Sequence, residues 1–198
     1  DALAHMDSHG IAKSLVRGAI ARAGDAMPGN DILLRKIGDS GRLVPCAVAL
    51  PHHTGEFPPP EEFVAYLARH NIRAVGIYPR LFDIQLYPWV WDGLFAVLAA
   101  RRLPLFLDFT VQHWSEDIDW AAVDRICGAF PALPLILVRM GNKSDRYLYP
   151  LMEIHENLHM ETSYYTVNNG ISALCARFGP DRQLYGSGSP VYNPNASL

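Results

Sequence analysis

Arg139 is the residue whose chemistry most needs explaining. It closes a continuous apolar run, Leu133 to Val138, and Met140, Gly141 and Asn142 follow it. A guanidinium stays charged, donates hydrogen bonds, and grips carboxylates or phosphates in a fork, but it cannot ligate a metal. Other reactive or polar groups also stand where apolar runs end: Arg17, His52, His53, Tyr78, Arg80, Asp108, Glu161, Ser163, Ser187 and Ser189. Asp108 can carry a proton or pair with Arg139. An imidazole titrates near neutral pH, which makes His52 or His53 the best general-base candidate. Arg80 and Tyr78 suit the contacts of an anionic ligand. Glu161 is either an inward acid or a partner for Arg139, and the second is favoured. Each has a plainer alternative: Arg139 and Asp108 as a structural ion pair, His52–His53 as a hydrated loop, Arg80 as a solvated surface charge. Ser187 sits in Gly-Ser-Gly rather than the Gly-x-Ser-x-Gly of a strand-to-helix elbow, so a serine-hydrolase reading is weak.

These residues need elements to position them. Short apolar runs without alternation, bounded by turn residues, read as strands buried on both faces of a parallel sheet. They are expected at 11–18, 43–50, 74–78, 103–107, 133–138, 158–162 and 183–185. Amphipathic stretches between them read as helices at 28–41, 61–70, 89–101, 120–130, 145–156 and 170–178, with the end of another helix at 1–9. Alternation of this kind predicts a parallel sheet with helices outside it. Seven strands are one short of the eight that close a barrel, in which chemistry sits at the carboxyl ends of the strands. The expectation is therefore an α/β fold, a TIM-like barrel whose first strand is missing from this chain. The chain would then form one domain over 1–198, truncated at its N-terminus.

The totals narrow the function classes. With 198 residues, 49% hydrophobic and 19% charged, the chain is globular and long enough for a sizeable core. A formal net charge of −3 gives no electrostatic case for nucleic acid or an anionic membrane. Three cysteines, Cys46, Cys127 and Cys175, lack Cys-x-x-Cys spacing and lie in apolar segments. They read as small buried hydrophobes in a reducing cytoplasm. No leader or apolar span of membrane length is evident. His5, His9, His70, His155 and His159 read as structural, and Trp89, Trp91 and Trp120 as core or interface. His113 and Trp114 fall on a loop that could form part of a lid.

An ordered series of stretches resembles one family. It runs M-D-S-H-G-I at 6–11, G-N-D-I-L at 29–33, R-A-V-G-I-Y-P at 73–79 and L-P-L-F-L-D at 103–108. It continues with F-P-A-L-P-L-I-L-V-R-M-G at 130–141, N-L-H-M-E-T-S at 157–163 and R-Q-L-Y-G-S-G-S-P at 182–190. The chain resembles the amidohydrolase-related proteins, the metal-dependent hydrolase and decarboxylase branch of the amidohydrolase superfamily. The resemblance implies a distorted eight-stranded barrel with zinc or another divalent metal. It also implies histidine ligands where this chain has Asp108 and Arg139, and an aspartate where it has Gly188. The first-strand ligands would precede residue 1.

All three ligand positions that can be inspected have changed. Arginine's charge would repel a divalent ion, and one carboxylate cannot hold zinc alone. The expectation is a degenerate site with no metal, in which Arg139 pairs Asp108 across adjacent strands. The predicted activity is a hydrolase or lyase of a small anionic or carbonyl substrate. In it Asp108, Arg139 and His52 are catalytic, and Arg80, Tyr78, Glu161 and Ser187 bind substrate. The alternative is an inactive barrel serving as a ligand-binding or assembly module. A small-molecule partner is expected, with homo-oligomerisation left open.

Overall fold

A computed structural model describes residues 2–110, 118–140 and 144–189. The chain packs as two compact units, Asp1–Ile77 and Tyr78–Leu198.

The first unit contains α1 (Ala2–Ser8), β1 (Ser14–Arg17), α2 (Ala19–Arg22), α3 (Ala26–Ile37), β2 (Leu43–Val48), α4 (Pro60–Arg69) and β3 (Ala74–Ile77). Its strands are parallel in the order β1-β2-β3, with Ser14 opposite Leu43 and Cys46 opposite Ala74. The first strand is shorter than predicted. The Arg42 guanidinium donates to the carbonyls of Ile11 and Ala12, so pairing with a side chain replaces strand pairing there. The helix expected from residue 28 starts at Ala26, because Pro28 lies in its first turn, where a missing N–H costs nothing.

The short helix α2 was not expected. It crosses α3 so closely that a Cβ on Gly29 would lie 2.2 Å from the Ala21 nitrogen. Asn30, 1% exposed, locks α3 to the sheet by donating to the Val48 carbonyl and accepting from the Val48 N–H, both at 2.9 Å. In α4, Pro60 occupies the first turn with Glu61 and Glu62, where the helix dipole favours carboxylates. Phe63, Val64 and Leu67 form its buried face.

The second unit contains α5 (Pro88–Ala100), β4 (Leu105–Asp108), α6 (Trp120–Ala129), β5 (Leu135–Val138), α7 (Asp145–Ile154), β6 (Leu158–Glu161), α8 (Gly170–Phe178) and β7 (Gln183–Leu184). Its strands are parallel in chain order, β4-β5-β6-β7. Every residue of β4 and β5 is buried, as unalternating apolar runs require. Leu105, Leu107, Leu135, Leu137, Leu158 and Met160 have no exposed surface.

The amino ends of these strands are tied by side chains. Asn157 donates to the carbonyls of Cys127, Phe130 and Leu133, and Arg182 to those of Met152, His155 and Leu158. Those bonds satisfy carbonyls at helix ends and strand starts, which leaves the carboxyl ends as the face available for chemistry. His155 bonds Asp124 at 2.6 Å on the same structural side. Trp91 is in the core, 2% exposed, whereas Trp89 is 73% exposed and stacked on Tyr87.

Cys46 and Cys127 are buried, Cys175 is half-buried, and all are free thiols. Burial pushes the Cys127 thiol up to about 12, with Asp124 adding to the rise. Among the described residues, no helix is long and apolar enough to cross a membrane.

Candidate functional site

Within the second unit, three consecutive parallel strands bring their last residues side by side. The register sets Asp108 at the end of β4 opposite Val138, so Arg139 lies one residue beyond and reaches back across the strand gap. Its Nη2 donates to both Asp108 oxygens, at 2.8 Å and 2.9 Å, and its Nε donates to Oδ1 at 3.2 Å. Arg139 is 8% exposed and Asp108 2%. The pair is therefore desolvated, and its attraction must offset the loss of hydration of both groups. Asp108 Oδ1 also accepts the Thr110 N–H at 2.7 Å.

The backbone around this pair is unusual. Arg139 has φ of 55° and Thr110 also 55°, both in the left-handed region, which costs a non-glycine residue about 1 kcal/mol or more. Such strain concentrates at functional sites. The buried Thr110 hydroxyl has no hydrogen-bond partner among the described residues.

Glu161 ends β6 and is 7% exposed. Its Oε2 accepts the Ser163 hydroxyl at 2.6 Å and its Oε1 the Ser163 N–H at 3.2 Å. The glycine after β7 is fitted to this carboxylate: a Cβ on Gly186 would lie 0.9 Å from Glu161 Oε1. The Gly186 N–H donates to the Thr162 hydroxyl at 3.2 Å. Glycine at 186 is thus required by the close approach of a buried acid.

The other expected residues are more dispersed. Tyr78 is 2% exposed at the start of the second unit, and its carbonyl accepts from the Leu81 and Phe82 N–H groups. Arg80 is exposed and lines a cavity of about 210 Å³ together with Asp83, Gln85, Phe109 and Asp119. The Ser187 hydroxyl accepts the Ser189 N–H at 3.3 Å, within the turn that contains Gly188 at φ 62°. His52 and His53 follow β2 in the first unit, their ring centroids 4.2 Å apart. Arg17 ends β1 in that unit. His113 and Trp114 lie outside the described residues.

Thr110 and Gly186 were not singled out as site residues, nor was the cavity, while Ser163 was named only as a strand-end residue. Gly186 left a trace in the sequence, as a glycine directly after a strand. Thr110 left none, because its left-handed conformation and the burial of its hydroxyl exist only in three dimensions. Among the described residues, no three His, Cys, Asp or Glu side chains converge as a metal-binding group.

No protein-family model matches the chain, and no curated protein matches it. Solved structures do. A TIM-barrel protein of uncharacterized function from Bordetella bronchiseptica superposes with a TM-score of 0.77 at 16% identity, covering 99% of this chain and 72% of that one. The 5-carboxyvanillate decarboxylase of Novosphingobium aromaticivorans, solved with manganese and 4-hydroxy-3-methoxy-5-nitrobenzoic acid, gives 0.73 at 17% identity, over 99% and 72%. Amidohydrolase 2 of Bifidobacterium longum subsp. infantis gives 0.66 at 14% identity, over 96% and 71%. At such identities the likeness concerns the fold: the chain has the TIM-like (β/α) barrel architecture, and its structural neighbours include amidohydrolases and decarboxylases.

Proposed function

We propose that this chain is a divergent amidohydrolase-related protein, a hydrolase or lyase of a small anionic or carbonyl-containing substrate, working without a divalent metal at Asp108, Arg139 and Gly188. One observation carries the reading: the Arg139 guanidinium donates to both oxygens of Asp108. The donor set does not fit a divalent ion. The single carboxylate at these positions is already bound by a fixed cation, Arg139 cannot ligate, and Gly188 has no side chain. No step is therefore routed through a metal.

On this reading Arg139 offers a desolvated positive charge to a carboxylate or to a developing oxyanion, where preorganised donors count most. Asp108, bonded to that guanidinium and to the Thr110 N–H, is the proton carrier in the second unit. Arg80, Tyr78, Glu161 and Ser187 are the candidates for holding substrate. His52, in the other unit, remains a base candidate on its chemistry alone.

Metal analysis of the purified protein tests the proposal, together with assays of ester, amide, lactone and carboxylate substrates with and without chelator. Turnover that survives chelation, from protein without stoichiometric metal, supports it. Stoichiometric zinc or manganese overturns the metal-free site.

A second reading has support from the same pair. A guanidinium that saturates Asp108 can be a plug, leaving the barrel as a ligand-binding or assembly module. Complete inactivity across those substrate classes would favour it.

A further inference from the structure

Helix α7 carries more apolar surface than its place in the second unit requires. Leu148 and Met152 are its buried residues and form the stripe that an outer helix needs. A second stripe, Tyr147, Pro150, Leu151 and Ile154, repeats at i, i+3, i+4 and i+7 on another side of the same helix. Tyr147 is 57% exposed and Ile154 67%. With Trp120 and Ala121 of α6, this stripe lines an open groove of about 310 Å³. Every lining residue belongs to α6 or α7, so the groove is framed by two regular elements rather than by loops.

One end of the groove is set by stacking, with the Trp120 and Tyr147 rings 5.4 Å apart and their planes 20° from parallel. Tryptophan, tyrosine and arginine are the side chains that most often dominate binding between proteins. The third of these is also present. Arg146 lines the groove at the start of α7, exposed and without a hydrogen-bond or ion-pair partner among the described residues. At the other end stands Asp124 of α6, whose Oδ1 bonds the ring of His155, the residue directly after α7. Asp124 is 56% exposed, and its Oδ2 is left for a second donor.

A cation and a carboxylate therefore flank the apolar stripe at opposite ends. The eight residues from Arg146 to Ile154 span about 12 Å of helix. A partner of one charge sign would match one end and oppose the other. A surface of this pattern complements itself. A two-fold axis through the middle of the stripe, near Pro150, runs α7 of one copy antiparallel to that of the next. It lays stripe on stripe and sets Arg146 of each copy against the partner's Asp124, so both charged contacts form twice.

We propose that the α6–α7 face is a self-association surface, through which two copies of this chain form an isologous dimer. Tyr147 and Ile154 supply its apolar centre, and the Arg146–Asp124 contacts fix the antiparallel orientation. The proposal goes beyond the reading of the strand-end pair and does not depend on turnover.

Sedimentation equilibrium of the full chain over a range of concentrations tests it, with circular dichroism to show that each variant is folded. A reversible monomer–dimer equilibrium is expected. Tyr147→Asp should weaken it at least tenfold. Arg146→Asp and Asp124→Arg should each weaken it at least fivefold, because each sets like charges together. The double reversal restores opposite charges across the axis and should return the equilibrium to within about threefold of the parent chain. Lys36→Glu, an exposed change on α3 of the first unit, should leave it unaffected. A chain that stays monomeric at every concentration overturns the proposal, as does a dimer indifferent to Tyr147→Asp and to both single reversals. A double reversal no better than the worse single one overturns the antiparallel pairing. Since the readout is mass in solution, none of these outcomes bears on Asp108 and Arg139.

Discussion

Replacing Arg139 with methionine should be among the most damaging single changes in the second unit. Among the described residues, the side chain supplies three of the four hydrogen bonds on Asp108, and the Thr110 N–H supplies the fourth. With Asp108 2% exposed, water cannot replace them without opening the strand ends. Removing one partner of a buried ion pair costs about 3–5 kcal/mol, largely because a charge is left uncompensated. Methionine keeps a Cβ, so the left-handed backbone at 139 is not relieved by the change. At ~2–4 °C per kcal/mol for a domain of this size, Tm should fall by roughly 6–20 °C.

Asp108→Asn should also destabilise, because the guanidinium loses the carboxylate that accepts its Nε and Nη2 hydrogen bonds. In the double variant neither charge remains, and the loss should be at least ~2 kcal/mol smaller than the sum of the two single losses, the signature of residues that act as a unit. Urea melts of the four proteins, followed by circular dichroism, give the cycle. Single-variant losses below ~1 kcal/mol, or additivity within ~0.5 kcal/mol, would refute the claim of a desolvated, coupled pair.

Other expectations are briefer. Gly186→Ala should destabilise by about 1–3 kcal/mol, because the new methyl would occupy the position of the Glu161 carboxylate. Adding Glu161→Ala should recover part of that loss, and equal melts for the single and double variants would show that the close approach is not the cause. His159 is half-buried, and burial, then Arg182, pulls its imidazole below the ordinary value. The unfolded chain therefore binds a proton that the folded chain resists. The stabilisation is present above the unfolded value of ~6.5 and is lost as pH falls through it toward the lower folded value. His159→Phe should flatten that acid-side loss in urea melts between pH 7 and pH 5, and an unchanged slope would count against the assignment.

How much of this was legible beforehand differs from residue to residue. The strands at 135–138 and 105–108 were readable because burial on both faces demands an unbroken apolar run, which any solvent-facing strand would interrupt. Arg139 and Asp108 were readable as strand-end residues because such runs stop where the chain meets polar surroundings. Their partnership was expected from the positions that the resemblance assigns them on adjacent strands, since charge alone offered Glu161 to Arg139 as well. Its geometry, with one nitrogen bridging both oxygens, depends on the register of β4 against β5.

The helix α2 was not legible, since four residues carry too little periodicity and its position depends on Gly29 allowing close contact with Ala21. Whether Trp89 belonged to the core or to an exposed face was left open for a related reason. An aromatic at a helix start can face either way, and only the packing of Trp91 and Phe95 decided which face of α5 is inner.

The sequence by itself determined the alternation of strand and helix, the class of fold, and the presence of Asp108 and Arg139 where apolar runs end. Those are properties of residue type and order, and local physics is enough to read them. Tertiary structure alone decided which polar groups are desolvated together. Glu161 against Gly186, the buried hydroxyl of Thr110, and the cavity joining Arg80 to Asp119 all join residues far apart in the chain or depend on backbone conformation. Those proximities follow from strand register and loop anchoring, which no short stretch of chain encodes.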